Sequence, residues 1–574
     1  MCVLPGGQSG CGAREGQDVS DSFPLSRLTS RARRGWEVVL TRGPSQIQFW
    51  FIALAVGIAS GYAAVAFMHA ISFLQAFLYG TEDVRHIHSF AATLPWFWVL
   101  ILPCLGGLVV GFILTRFTPD GRVRGVAEVI QGAAMYEGRV ERRAGLASIL
   151  SSLITLSSGG SSGREGPVVH MVGMIAGWVS NRINADGITG RDLLGCAVAA
   201  GVAASFNAPI AGALFALEVV LRHFAVHAFA PITIAAVSGS VISRTNFGDV
   251  TEFALPGVNT LAFYVELPAF LLLGLTCGLV AVVLMRSIFL AEDLATRIQA
   301  RIGLPAMLRP AATGLLLGVM AIWFPHIIGV GYETTSAALS GELLLHEAMV
   351  FAVLKVAAVS ITMGGRMGGG VFSPALMVGA LTGLAFGIVA TGVLPDVSGS
   401  ETLYALAGMG AVAAAVLGAP ISTTLIVFEL TGDWQTGLAV MVAVSMSTAL
   451  SSRLVDMSFF LTQLERRGVH LAAGPQAYLL AMFKVSSVMK SPDHPRAPSE
   501  ERVKAAVNEA LFVAPSDTLE AAMPLFEKSG REFLAVVRLS DKAEGPEIVG
   551  VLLHIDALRV YNRALAATAA EEHS

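Results

Sequence analysis

The sequence predicts an all-α polytopic membrane protein built from two related halves, followed by a small αβ domain. Three observations carry that prediction. First, the chain of 574 residues is 54% hydrophobic and 14% charged, with a mean hydropathy of +0.66, whereas soluble domains carry about 25% charged residues. Second, a pair of motif blocks occurs twice in the same order. GREGPVVHMVGMIAG (163–177) is followed by NAPIAGALFALE (207–218), and GGVFSPALMVGALTG (369–383) by GAPISTTLIVFE (418–429). The copies lie roughly 210 residues apart, as in a duplicated transporter whose binding site lies between its halves. Third, after about residue 483 the composition turns charged and mixed, as expected of a cytoplasmic domain outside the bilayer.

Composition also excludes function classes. The net charge of -4 comes with no basic stripe and no aromatic stacking platform, so nucleic acid is not an expected partner. The chain has no Walker loop, dinucleotide glycine fingerprint or HEXXH-like zinc motif, so transport would run on gradients without a cofactor. Cys104, Cys196 and Cys277 fall in apolar segments and Cys2 and Cys11 in a polar tail, none spaced for a metal or disulfide framework. His86 and His88 read as solvated loop residues rather than metal ligands.

Taken in order, residues 1–44 form a tail in which Arg27, Arg31, Arg33, Arg34 and Arg42 precede an apolar span starting near Gln48. Such a cluster predicts a cytoplasmic N-terminus. The apolar run is too long and begins too late for a cleaved signal peptide. Apolar spans fall at about 48–79, 95–116, 145–157, 166–180, 192–205, 209–224 and 228–243, measured against the ~20 residues that cross a bilayer. Further spans follow at about 262–290, 308–325, 347–363, 373–393, 404–417, 420–431 and 436–452. Full and partial lengths alternate. The transmembrane domain is thus 45–470, with halves at about 45–245 and 260–470, then a linker 471–484 and a C-terminal domain 485–570.

Half-length apolar segments broken by Gly and Pro are expected where helices start inside the membrane around an ion site. Pro167, Pro209, Pro374 and Pro420 sit where such helices would begin, and proline fits a first helical turn because its missing donor costs nothing there. Helix N-termini expose unpaired amides and carry about half a positive charge, so several aimed at one point attract an anion. They hold it without the tight grip of a fixed cation. The substrate class read from the residues is therefore a small anion.

GREGP, NAPIAGALFALE and GGVFSP together closely resemble the signature motifs of the CLC family of voltage-gated chloride channels and chloride/proton antiporters, over roughly residues 45–470. The resemblance implies two inverted repeats of tilted, partly spanning helices. It also implies a homodimer with a separate pore in each subunit of a plasma or inner cell membrane. The substrates implied are chloride and similar small anions, with protons as a second partner in the exchangers.

Glu165 is the principal candidate. An ionisable side chain inside a membrane segment costs about 2.5–3.5 kcal/mol on insertion scales, so it needs a use. By the resemblance it is the gate and proton acceptor: its carboxylate fills an anion site and swings aside on protonation or displacement. Burial and the neighbouring positive charge, Arg164 included, act on it in opposite senses, leaving a group that titrates near working pH. The same resemblance assigns the backbone amides of Arg164, Glu165, Gly166, Val371, Phe372 and Ser373 to the anion sites. Gly368, Gly369 and Gly370 would let the main chain approach the ion.

Three departures from the family pattern bear on mechanism. In VRGVAEVIQG, Arg124 stands where many relatives place a serine; it either points into the cytoplasmic vestibule and gathers anions or snorkels from a loop. In DMSFFLTQLERRG, the pore tyrosine aligns with Phe460, which either deprives the anion of a hydroxyl donor or packs in the core. Val219 follows Glu218 where antiporters often carry a second glutamate, so the inner proton acceptor is missing. The expected function is thus channel-like or weakly proton-coupled chloride transport, with a tightly coupled antiporter as the alternative. Glu218 and Glu429 are expected to bond helix ends. The departures do not reproduce the pattern of fluoride-exporting relatives.

The C-terminal stretch APSDTLEAAMPLFEKSGREFLAVV with IVGVLLHIDAL looks like one CBS module. Asp556 matches a ribose-contacting aspartate, yet Leu553 stands where threonine is usual, so adenine nucleotide binding is doubtful and a dimerisation or regulatory role is favoured. A rival from another class is an intramembrane serine protease, because GGSSG (159–163) fits GxSxG with His170 nearby. That chemistry would leave the second pair of blocks unexplained.

Overall fold

The computed structural model describes residues 45–80, 86–224, 226–248, 263–395, 398, 400–431, 434–469, 471, 480, 483–538 and 547–572. The arginine-bearing tail before Ser45 and most of the linker expected at 471–484 lie outside the described residues. The first half comprises α1 (Gln46–Tyr79), α2 (Ile87–Ala91), α3 (Trp96–Phe117), α4 (Val126–Met135), α5 (Arg142–Ser158), α6 (Glu165–Arg182), α7 (Gly187–Phe206), α8 (Pro209–Phe215) and α9 (Val226–Phe247). The second comprises α10 (Phe263–Ile302), α11 (Arg309–Trp323), α12 (Tyr332–Leu339), α13 (Leu345–Gly364), α14 (Phe372–Val393), α15 (Glu401–Leu417), α16 (Pro420–Thr431), α17 (Trp434–Leu454) and α18 (Phe459–Glu465).

Nine helical stretches among the described residues are long and apolar enough to cross a membrane, and others stop part-way. The protein is therefore a multi-pass membrane protein. Apolar side chains such as Phe51, Phe73, Phe77, Leu272 and Val353 remain exposed, as a lipid-facing surface requires. The most buried helices, α7 and α15, carry the runs AVAAGVAASF and ALAGMGAVAAAVL. Small residues let helices approach closely where there is no water to drive association. A Cβ on Gly408 would lie 2.5 Å from the Gly379 carbonyl oxygen, so α14 and α15 pack backbone to backbone.

Several apolar spans read from the sequence change on folding. The stretch 209–224 becomes α8 and a π-helical turn, Ala216–Leu221. The span at 262–290 extends to Ile302 through Glu292, Asp293, Arg297 and Arg301, leaving the apolar zone. Helix α4 carries no long apolar run; it forms because the Glu128 carboxylate accepts the Gly125 N–H at 2.6 Å and caps its first turn.

The C-terminal domain contains α19 (Val485–Val488), α20 (Glu500–Asn508), β1 (Phe512–Val513), α21 (Leu519–Ser529), β2 (Phe533–Arg538), β3 (Glu547–Leu553) and α22 (His554–Glu572). Its sheet has the order β1-β2-β3, parallel at β1/β2 and antiparallel at β2/β3. Leu534, Val536 and Leu552 bury one face against Leu519, Phe526 and Ala557. The domain rests on the membrane part: α21 packs on α4, and Lys484 Nζ pairs with Glu137.

Candidate anion site

The repeated blocks converge at the middle of the molecule. The Gly163 N–H donates to the Gly370 carbonyl and the Gly370 N–H to the Gly163 carbonyl, each at 2.7 Å, so the GREGP and GGVFSP loops form one two-way bridge. The Ser162 hydroxyl donates to the Gly368 carbonyl at 3.1 Å, and the Gly368 N–H to Thr155 Oγ1 at 3.0 Å. Gly369 sits at φ 124, and a Cβ there would lie 2.1 Å from Ser162 Oγ; only glycine permits this crossing.

The bridge sets the N-termini of α6 and α14 beside each other. Glu165, in the first turn of α6, is 3% exposed. One carboxylate oxygen accepts the Ser373 N–H at 3.4 Å, and the other accepts the Ser373 hydroxyl. A carboxylate of the first half thus docks on the helix N-terminus of the second, a place suited to an anion. Phe372 anchors α14 against Phe206 and Phe215, with ring centroids 4.8 and 6.2 Å away. Arg164 donates to the Ser205 carbonyl at 3.0 Å and lies over the Tyr332 ring.

One cavity is lined by Glu165, Gly166, Val371, Phe372, Phe460 and Arg124. It thus gathers most of the residues singled out from the sequence. Ser373 joins it through Glu165, whereas the Arg164 side chain turns to Ser205 and Tyr332. Phe460 offers this cavity a ring and no hydroxyl, and Phe459 lines it as well. Arg124 faces the cavity, but its guanidinium bonds Asp120 at 2.8 Å and Glu141 at 3.4 Å. Its charge is therefore largely answered by protein.

Sequence reasoning missed the other cations of this vestibule: Arg122, Arg366 and Arg467 line the same cavity. Arg122 pairs with Glu292 at 3.2 Å, and Arg467 pairs with Glu128. The signal available was Arg366 itself, which interrupts the Gly-rich run just before the second block.

Glu218 and Glu429 exchange caps between the halves. Glu218 accepts the Ile421 and Ser422 N–H groups at 2.9 and 2.7 Å, while Glu429 accepts those of Ile210 and Ala211 at 2.9 and 2.8 Å. The prolines at 209 and 420 start the capped helices. This reciprocal arrangement accords with the helix-end role expected of both acids. Val219 lies in the π-helical turn.

No serine–histidine pair forms: Ser161 Oγ and both ring nitrogens of His170 are buried without a hydrogen-bond partner, and Ser162 bonds a carbonyl. Away from the pore, His88 Nδ1 lies 2.9 Å from Glu333. Burial would raise the Glu333 carboxyl, but bonds from His88 and Ser89 hold it down to about 2. Among the described residues no group of three or more His, Cys, Asp or Glu could hold a metal ion.

The sequence profile described as "Voltage gated chloride channel" matches residues 106–452, more than half of the chain. The chain belongs to this CLC family. CLC proteins are transporters or channels rather than enzymes. A chloride channel protein described as ClcB-like from Ralstonia nicotianae is 33% identical over 396 residues, covering 68% of this chain and 91% of that protein. The voltage-gated ClC-type chloride channel ClcB of Escherichia coli is 29% identical, covering 70% and 95%. Among solved structures, a slow cyanobacterial Cl-/H+ antiporter superposes with a TM-score of 0.65 at 21% identity, covering 73% of this chain and 97% of its own. A eukaryotic CLC transporter superposes with a TM-score of 0.62 at 17% identity, covering 88% and 97%. At these identities the structural likenesses establish the CLC fold.

Proposed function

We propose that the protein carries chloride and similar small anions such as bromide and nitrate through a pore gated by Glu165, in a channel-like or weakly proton-coupled manner. The observation that carries this reading is the Glu165 carboxylate docked on the N-terminus of α14: a tethered anion occupies a place that a free one would compete for. Val219 in the π turn and the hydroxyl-free Phe460 favour loose coupling over tight exchange. The main-chain amides of Arg164, Glu165, Gly166, Val371, Phe372 and Ser373 serve as anion donors, with Phe460 and Arg124 on the cavity wall.

The test is a zero-current voltage in proteoliposomes under opposed chloride and proton gradients. A purely chloride value supports conduction, a shift toward the proton value supports the antiporter, and impermeability to halides overturns the proposal. Glu165→Gln abolishes the pH response of flux; unchanged pH dependence removes Glu165 from its role.

We place the protein in a plasma or inner cell membrane with both termini cytoplasmic, as a homodimer with one pore per subunit. Mass photometry in detergent checks the dimer. The CBS-like domain acts in dimerisation or regulation. Arg496 and Arg559 lie 3.4 and 3.3 Å from Oδ1 of Asp556, the residue that matches a ribose-contacting aspartate.

A further inference from the structure

The vestibule cavity reaching Glu165 carries four arginines, of which Arg124, Arg122 and Arg467 each face a carboxylate of the protein. Arg366 does not. Among the described residues its guanidinium makes no hydrogen bond or ion pair, and its Nε is buried without a partner. Its backbone is also unusual, lying at φ 63, a left-handed conformation that glycine adopts freely and long side chains rarely do. Gly121, across from it, presents no side chain: a Cβ there would lie 3.6 Å from Arg366 Nη1. A guanidinium with no hydrogen bond or ion pair of its own, and only longer-range attraction to Asp120 and Glu292, therefore faces the route to the gate, with Arg122 beside it.

We propose that Arg366, supported by Arg122, forms a docking subsite for small monovalent anions that favours planar oxyanions such as nitrate over chloride. A guanidinium offers its donors as a planar fork, which two oxygens of an oxyanion can fill together while a spherical halide meets it at one point. A guanidinium without an ion pair of its own raises the local anion concentration next to the gate. A purely structural arginine would instead spend its donors on carbonyls, as Arg309 does on Gly364 and Glu292.

This inference rests on anion transport as proposed above, and the experiment separates the two. Full-length protein and its Arg366→Gln and Arg366→Lys variants are reconstituted in vesicles. The half-saturating concentrations of chloride and nitrate and the nitrate-to-chloride permeability ratio are measured. Arg366→Gln raises the half-saturating nitrate concentration by about tenfold, the fold-change of one charge-assisted hydrogen bond, and chloride less. Arg366→Lys restores the chloride value but not the nitrate preference, because an ammonium lacks the fork. A glutamine variant that transports with both values unchanged overturns the subsite and leaves the transport proposal standing; a wild type without flux overturns both. Should the glutamine variant fail to assemble, the lysine variant decides: a lowered ratio supports the subsite and an unchanged ratio overturns it.

Discussion

Replacing Glu218 by alanine removes the acceptor of three hydrogen bonds from the second half: the Ile421 N–H at 2.9 Å, the Ser422 N–H at 2.7 Å and the Ser422 hydroxyl at 2.7 Å. Replacing Glu429 removes two, from Ile210 and Ala211. A hydrogen bond to a charged group contributes about 1.5–3 kcal/mol, and a helix cap about 0.5–2 kcal/mol. Ile210 and Ile421 are exposed, so their bonds belong at the low end. Counted at about 1 kcal/mol per bond, within the range of a helix cap, Glu218→Ala costs about 3 kcal/mol and Glu429→Ala about 2 kcal/mol. Glu218→Gln falls between wild type and Glu218→Ala, because an amide oxygen still accepts without the charge. Equilibrium unfolding of the purified protein in mixed detergent measures all three. The reasoning fails if Glu429→Ala costs as much as Glu218→Ala, or if both cost under about 0.5 kcal/mol, the range of an ordinary surface substitution.

Two further predictions concern the C-terminal domain and the cavity. Burial raises the Glu520 carboxyl to about 7, against the pull of Arg191 and Arg222. The docked form therefore holds its proton more tightly than an exposed carboxyl of ordinary value 4.5. Docking is strongest in acid and weakens as pH rises between those values, by at most about 3 kcal/mol; hydrogen exchange at α21 follows it, and tightening with rising pH refutes it. Phe460→Tyr adds a hydroxyl at the cavity wall, raises anion affinity by about fivefold, equivalent to ~1 kcal/mol, and strengthens proton coupling in the vesicle assay; unchanged affinity and coupling assign Phe460 to packing.

The halves, their order and the helix starts at Glu165, Phe372, Pro209 and Pro420 were legible because Gly, Pro and repetition mark them locally. Glu165 stood out for the same reason, as an acid where the membrane tolerates few. Helix α4 was not legible: its cap at Glu128 also meets Arg467, a residue from the far end of the membrane domain. Arg124 posed a similar problem. Its partner Asp120 is near in sequence, but Glu141 reaches it only through the fold. The significance of Arg366 depends on which cations find partners, a property of the assembled vestibule.

The reciprocal Gly163–Gly370 bridge constrains how a passage through this protein can widen. Prying the halves apart at mid-depth would sever two main-chain bonds with no water at hand to replace them, whereas rotating one side chain disturbs neither. In the gate proposed above, the hinge lies about a few torsions of Glu165 alone. The scaffold around it can stay as stiff as a frame around a swinging shutter.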